Sequence, residues 1–166
     1  MFKKTILTAA AALLMSNSPT MAGEITIGMA PNLQTLPIVV AASEGYFSEE
    51  KIKLKTVRFT SGRRALEALI GGQLDVAFMA EYPVSIASLR EQPFGTFTTL
   101  SRYTANRMIS KASIGFKDPA SLTGKKIGTT KGSNTEFFTE ALIEKFGIKA
   151  EVINVSPPDI VPALAR

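Results

Sequence analysis

Apolar and polar residues first alternate in "EITIGM", where Ile25 and Ile27 share a face, predicting a strand that opens into the loop "APNLQTLP". A short helix follows over "PIVVAASEGYF", started by Pro37 and stopped at Gly45. "KIKLKTVRF" alternates again as a strand, and "SGRRALEALIGG" sets Leu66, Leu69 and Ile70 on one helical face before Gly71 and Gly72 end it. "LDVAFM", residues 74–79, carries one charge and is then wholly apolar, the pattern of a strand covered on both faces in a parallel sheet. It runs into "EYP", with Pro83 in the first turn of a helix whose apolar face carries Ile86 and Leu89.

The same order recurs further along. "KKIGTTKGSN" reads as strand and loop, and "TEFFTEALIEKFG" as a helix with Phe137, Phe138, Ala141 and Leu142 on one side. "AEVINV" and "SPPDIVPALAR" add a strand and a second helix, so that Gly28 matches Gly128, Ser61 matches Ser156, and Ala68 and Leu69 match Ala163 and Leu164. Two α/β lobes are expected: a first over residues 23–103, a crossover and entry to the second lobe over 104–124, and a second over 125–166; the stretch joining the halves, residues 96–124, begins with β-rich alternation. The repeat stops inside its second helix, and the chain is read as the N-terminal part of a longer protein with an incomplete second lobe.

Residues 1–22 change the picture of where this chain works. Lys3 and Lys4 precede an apolar run from Ile6 to Met15, then Pro19 and small residues near Ala22: a cleavable export signal leaving a mature start near Gly23. The run is about half the ~20 residues that cross a bilayer. No Cys follows it, which excludes lipid anchoring and points to a soluble protein of a bacterial periplasm. With no cysteine in 166 residues, 45% of them hydrophobic, the fold rests on a core rather than on disulfides. The formal charge of +5 falls to +3 without the leader's two lysines, and its scatter excludes a nucleic-acid footprint.

In an open parallel sheet, ligands sit beyond the carboxyl ends of the strands, where helix N-termini point their N–H groups. Four such loops are candidates. Asn32 and Gln34 offer amides in the first; Ser61 and Gly62 precede Arg63 and Arg64 in the second. Glu81 and Tyr82 end the third, where a carboxylate would hold an amine and the ring could stack on a ligand or pack under a helix. Gly132, Ser133, Asn134 and Thr135 form the fourth, although Ser133 with Glu136, like Ser156 with Asp159, has capping-box spacing that structure alone would explain. Arg102 and Arg107 flank the crossover, and each reads either as solvated or as reaching a cleft anion. With no His and no Cys, the commonest general base and the thiol nucleophile are absent, and neither a P-loop nor a metal cluster is present. No catalytic residue, cofactor or metal is expected.

"ITIGMAPN", "ASEGYFSEEKIKLKTVRFTSG", "ALEALIGGQLDVAF", "DPASLTGKKIGTTKGSN" and "EALIEKFGI" together resemble the periplasmic solute-binding proteins of ABC importers, in the nitrate, sulfonate, taurine and pyrimidine-precursor family. The likeness spans residues 24–166. It implies a two-lobed periplasmic-binding-protein fold, monomeric, closing on one small molecule and delivering it to an inner-membrane permease. It also implies that the ligand lies among the four loops, at Asn32, Gln34, Ser61, Gly62, Glu81, Tyr82, Gly132, Ser133, Asn134 and Thr135. Glu81 disfavours a bare oxyanion such as nitrate and favours an amino-sulfonate, with a neutral heterocycle stacked on Tyr82 as the alternative ligand. An enzyme on the same fold is the rival from another class.

Overall fold

The computed structural model describes residues 23–104 and 106–165; the expected export signal, residues 1–22, lies outside them. Strand β1 (Glu24–Met29) leads through a 3-10 turn (Leu33–Thr35) into α1 (Leu36–Ser43) and α2 (Tyr46–Glu49). Strand β2 (Lys53–Arg58), α3 (Gly62–Ile70), β3 (Val76–Ala77) and α4 (Glu81–Leu89) follow. Beyond the crossover come β4 (Lys126–Thr129), α5 (Asn134–Phe146), β5 (Glu151–Asn154) and α6 (Ile160–Ala165).

The strands form two parallel sheets, one in the order β2-β1-β3 and one pairing β4 with β5. Each ladder opens on a facing charge pair: Glu24 opposite Lys53, with an ion pair of 2.6 Å, and Lys126 opposite Glu151, at 3.8 Å. Each half buries its own apolar cluster. Ile27, Met29 and Ile38 pack with Phe47, Leu54, Val76 and Phe78, and Leu122, Ile127 and Ile148 pack with Leu142 and Ile143.

Several expectations are corrected. The apolar run "LDVAFM" pairs as a strand over only two residues. Its single charge limits the start: the Asp75 carboxylate takes the Thr26 N–H at 2.8 Å, where a carbonyl would extend the ladder. Leu89, expected on an apolar helix face, is 82% exposed, and α4 instead buries Pro83 and Ala87. Phe137 and Phe138 are 46% and 49% exposed, because α5 turns Asn134 and Thr139 inward at its start and meets the core through Leu142 and Ile143. The crossover holds no strand among the described residues, only 3-10 turns at Ala112–Ile114 and Pro119–Leu122. Alternation becomes a strand only where a partner edge is offered.

Candidate functional site

All four loops leave the carboxyl ends of parallel strands, and the first two cap their own helix starts with a side chain. Asn32 is extended and caps the 3-10 turn: its Oδ1 accepts the Thr35 N–H at 3.1 Å, and Thr35 Oγ1 accepts the Asn32 N–H at 3.3 Å. Thr35, 1% exposed, locks this loop, and Gln34 beside it is half-buried. Ser61 caps α3 by accepting the Arg64 N–H at 3.3 Å. At Gly62 a Cβ would lie 2.8 Å from Met79 Cβ, so only glycine lets the start of α3 press against the segment leaving β3.

Across the molecule, α4 and α5 meet at their N-termini. Asn134, 7% exposed, donates from Nδ2 to Glu81 Oε1 at 2.9 Å and accepts the Tyr82 N–H on Oδ1 at 3.1 Å. One amide thus joins the two halves through a carboxylate and a helix-terminal N–H. A second joint lies beside it, where Arg63 Nη1 donates to the Lys131 carbonyl at 3.2 Å. Gly132 sits at φ +73 directly under that arginine, and a Cβ there would lie 2.6 Å from Arg63 Cδ.

The anticipated capping boxes do not form. The Gly132 N–H, not that of Ser133, donates to Glu136 Oε2 at 2.6 Å. Ser133 Oγ turns back to donate to the Thr130 carbonyl at 2.6 Å, within 2.8 Å of Thr135 Oγ1, which accepts from Thr129 Oγ1 at 3.0 Å. The left-handed Gly132 swings its own N–H toward the carboxylate and leaves Ser133 facing the turn behind it. Ser156 likewise makes no side-chain cap; the Asp159 N–H reaches its carbonyl at 2.9 Å instead.

The second, third and fourth loops therefore converge, Ser61 and Gly62 through Arg63, Glu81 and Tyr82 through Asn134. The hydrogen bonds of Asn32 stay within its own loop. The Tyr82 ring lies against Phe137, centroids 5.4 Å apart, so it packs on α5 rather than standing free.

Glu81 also lines a cavity of about 300 Å³ with Thr99, Ser101, Arg102 and Tyr103, from the stretch that leads into the crossover. Ser101 Oγ is buried there without a hydrogen-bond partner. The Tyr103 phenol is pushed above its ordinary range, first by burial and then by the charge of Glu81, and so stays a neutral donor. Of the residues 99–103 only Arg102 carried any signal in the sequence; an irregular segment has no periodicity to say which side chains face inward. On another face, a groove of about 560 Å³ between α3, α4 and the Gly132 loop has an apolar floor of Leu66, Pro83 and Ile86 under Arg63, Arg90 and Lys131.

The family described as NMT1/THI5 like matches residues 32–165. The chain is similar to the taurine-binding periplasmic protein of Escherichia coli, 25% identical over 86% of this chain and 45% of that protein. In fold it is similar to the alkanesulfonate-binding protein SsuA of Xanthomonas axonopodis pv. citri bound to MOPS, with a TM-score of 0.65 at 19% identity, covering 86% of this chain and 50% of that one. The periplasmic aliphatic sulphonate binding protein SsuA of Escherichia coli gives a TM-score of 0.59 at 19% identity, over 86% and 47% of the two chains. The chain spans about half the length of the proteins it matches.

Proposed function

The chain belongs to the NMT1/THI5-like family, and from that premise we propose that it is the substrate-binding component of an ABC importer. It takes a small organic anion of the sulfonate class in the periplasm, between two α/β halves, and hands it to a membrane permease without chemical change. The observation that carries this is the convergence of three strand-to-helix loops, around Ser61, Glu81 and Asn134, with Glu81 also lining a cavity. Ligand sites of open parallel sheets lie at that end of the strands. A taurine-binding relative and the fold of a MOPS-bound alkanesulfonate receptor support the ligand class, and a chain without His or Cys suits binding better than catalysis.

Among the expected contacts, those in the converging loops, Ser61, Gly62, Glu81, Gly132, Ser133, Asn134 and Thr135, are the ones we propose frame the ligand. Asn32 and Gln34 belong to the rim. A neutral heterocycle gains no support, since the ring that would stack on it is engaged by Phe137.

Titration calorimetry on the purified protein with taurine, ethanesulfonate and nitrate tests this. One-to-one binding of a sulfonate with a Kd of about 1 μM or tighter is expected, with nitrate weaker. No heat from any sulfonate would refute the ligand class, and turnover of a bound ligand would refute the binding-only role.

A further inference from the structure

The groove between α3, α4 and the Gly132 loop has a floor of Leu66, Pro83 and Ile86, and the two acids on its walls are already engaged. Glu67 is held by Arg63 at 2.8 Å and by Arg64 at 3.0 Å, and Glu136 by the Gly132 N–H at 2.6 Å. The cations are not balanced in return. Arg90 and Lys131 line the same groove, both exposed, and neither enters an ion pair among the described residues. We propose that this groove docks a short acidic segment of a protein partner, with a carboxylate at each end and an apolar side chain between them. The proposal goes beyond the importer reading and does not depend on the ligand taken.

The spacing of the two free cations sets the spacing of the carboxylates. Lys131 belongs to the loop before α5, which the Asn134 hydrogen bond to the Tyr82 N–H holds at the start of α4, whereas Arg90 caps the far end of α4. From Tyr82 to Arg90 the helix rises about 12 Å, at ~1.5 Å per residue. An extended peptide covers that distance in about four residues, and its positions i, i+2 and i+4 face one way. A segment of the form Glu-x-Leu-x-Glu therefore sets one carboxylate at Lys131, the other at Arg90 and the leucine on the floor between them.

Two further observations favour a peptide here. Leu89, one turn on from Ile86 along α4, is 82% exposed, so the apolar strip continues past the groove. Both halves build the groove, and the Arg63 hydrogen bond to the Lys131 carbonyl, at 3.2 Å, ties its walls together. An occupant thus bridges the halves. The apolar contact supplies affinity and the paired charges supply register. A bilayer surface would meet the cations but leave the recessed floor empty.

Nuclear magnetic resonance titration of the isotope-labelled protein with acetyl-Glu-Ser-Leu-Ser-Glu-amide tests this. The backbone signals of Leu66, Ile86, Arg90 and Lys131 are expected to shift together, with binding at least about fivefold weaker in ~0.5 M salt. A peptide with Gln at both ends is expected to bind about tenfold more weakly, and one with Ser in place of Leu several-fold more weakly. R90E and K131E are each expected to lower the affinity about tenfold. Neither side chain pairs with a carboxylate in the fold, and a thermal melt of each variant separates lost binding from lost fold.

No shift at these residues, equal shifts with the Gln-ended peptide, or unchanged affinity in R90E and K131E would overturn the proposal. So would the same signals answering to phosphatidylglycerol vesicles and not to the peptide, which would give the cations to a lipid surface. Taurine binding, read separately by calorimetry, is expected to be unchanged in both variants, so that failure of either reading leaves the other standing.

Discussion

Asn134 is a small buried amide whose two polar ends are both used, on residues more than fifty positions away. Its removal leaves the exposed Glu81 carboxylate to solvent and the half-buried Tyr82 N–H without a protein partner, a loss of about 1 kcal/mol. N134A is expected to lower the chemical unfolding free energy by about that amount. N134D, which sets a second carboxylate against Glu81, is expected to be worse still. The sequence marks Asn134 as a polar residue at a helix start but carries no trace of its bridging role, because capping spacing is local and this contact is not. Ser133 shows the reverse: S-x-x-E spacing was present, and a left-handed glycine beside it redirected both partners.

Tyr103 offers a pH test at the same scale. Its folded phenol holds its proton more tightly than an unfolded one, so its contribution to stability is present below the ordinary tyrosine range and lost as pH rises through the raised folded value. An ultraviolet titration of the phenolates is expected to show one late transition that Y103F removes. E81Q is expected to bring that transition only part of the way back, since burial, not the carboxylate, is the larger cause.

At the scale of elements, the order of strands and helices was legible because each has a clear period and clear stops: Gly45, Gly71 and Gly72 fall where helices end. What covers an element was not legible. Periodicity gave α5 and α4 apolar faces, but which residues meet a neighbour depends on how the helix is clamped at its start, and Asn134 clamps α5 so that Phe137 and Phe138 stay half in solvent. Helix α3 is placed by its first two residues. G62A is expected to destabilise by about 1–3 kcal/mol through overlap with Met79, and S61A by about 1 kcal/mol through loss of the cap. Equilibrium denaturation of the two variants would rank them in that order.

The whole molecule has two separate apolar clusters, one in each half, joined by the Asn134 bridge, the Arg63 contact and an irregular crossover. Such a joint can bend without disturbing either core. Saturating taurine is expected to reduce the radius of gyration in solution scattering and, at a hundred times its Kd, to add about 2.7 kcal/mol to stability. The duplicated plan itself was legible from the matching of Gly28 with Gly128 and Ser61 with Ser156. The cavity was not, since apart from Glu81 its wall comes from the irregular stretch beyond α4.

A chain that carries one folding pattern twice risks knitting a strand of one copy to the wrong neighbour. The facing charges that open the ladders guard against it, because the second copy wears them inverted: β1 leads with Glu24 against Lys53, while β4 leads with Lys126 against Glu151. Were β1 to zip onto β5 in that frame, glutamate would meet glutamate; β4 on β2 would set lysine against lysine. Each bridge is worth little to the finished protein, being on the surface. Its worth lies in refusing the wrong suitor, and a chain carrying K126E together with E151K, with both native bridges intact and the two copies made alike, should refold in lower yield than its parent.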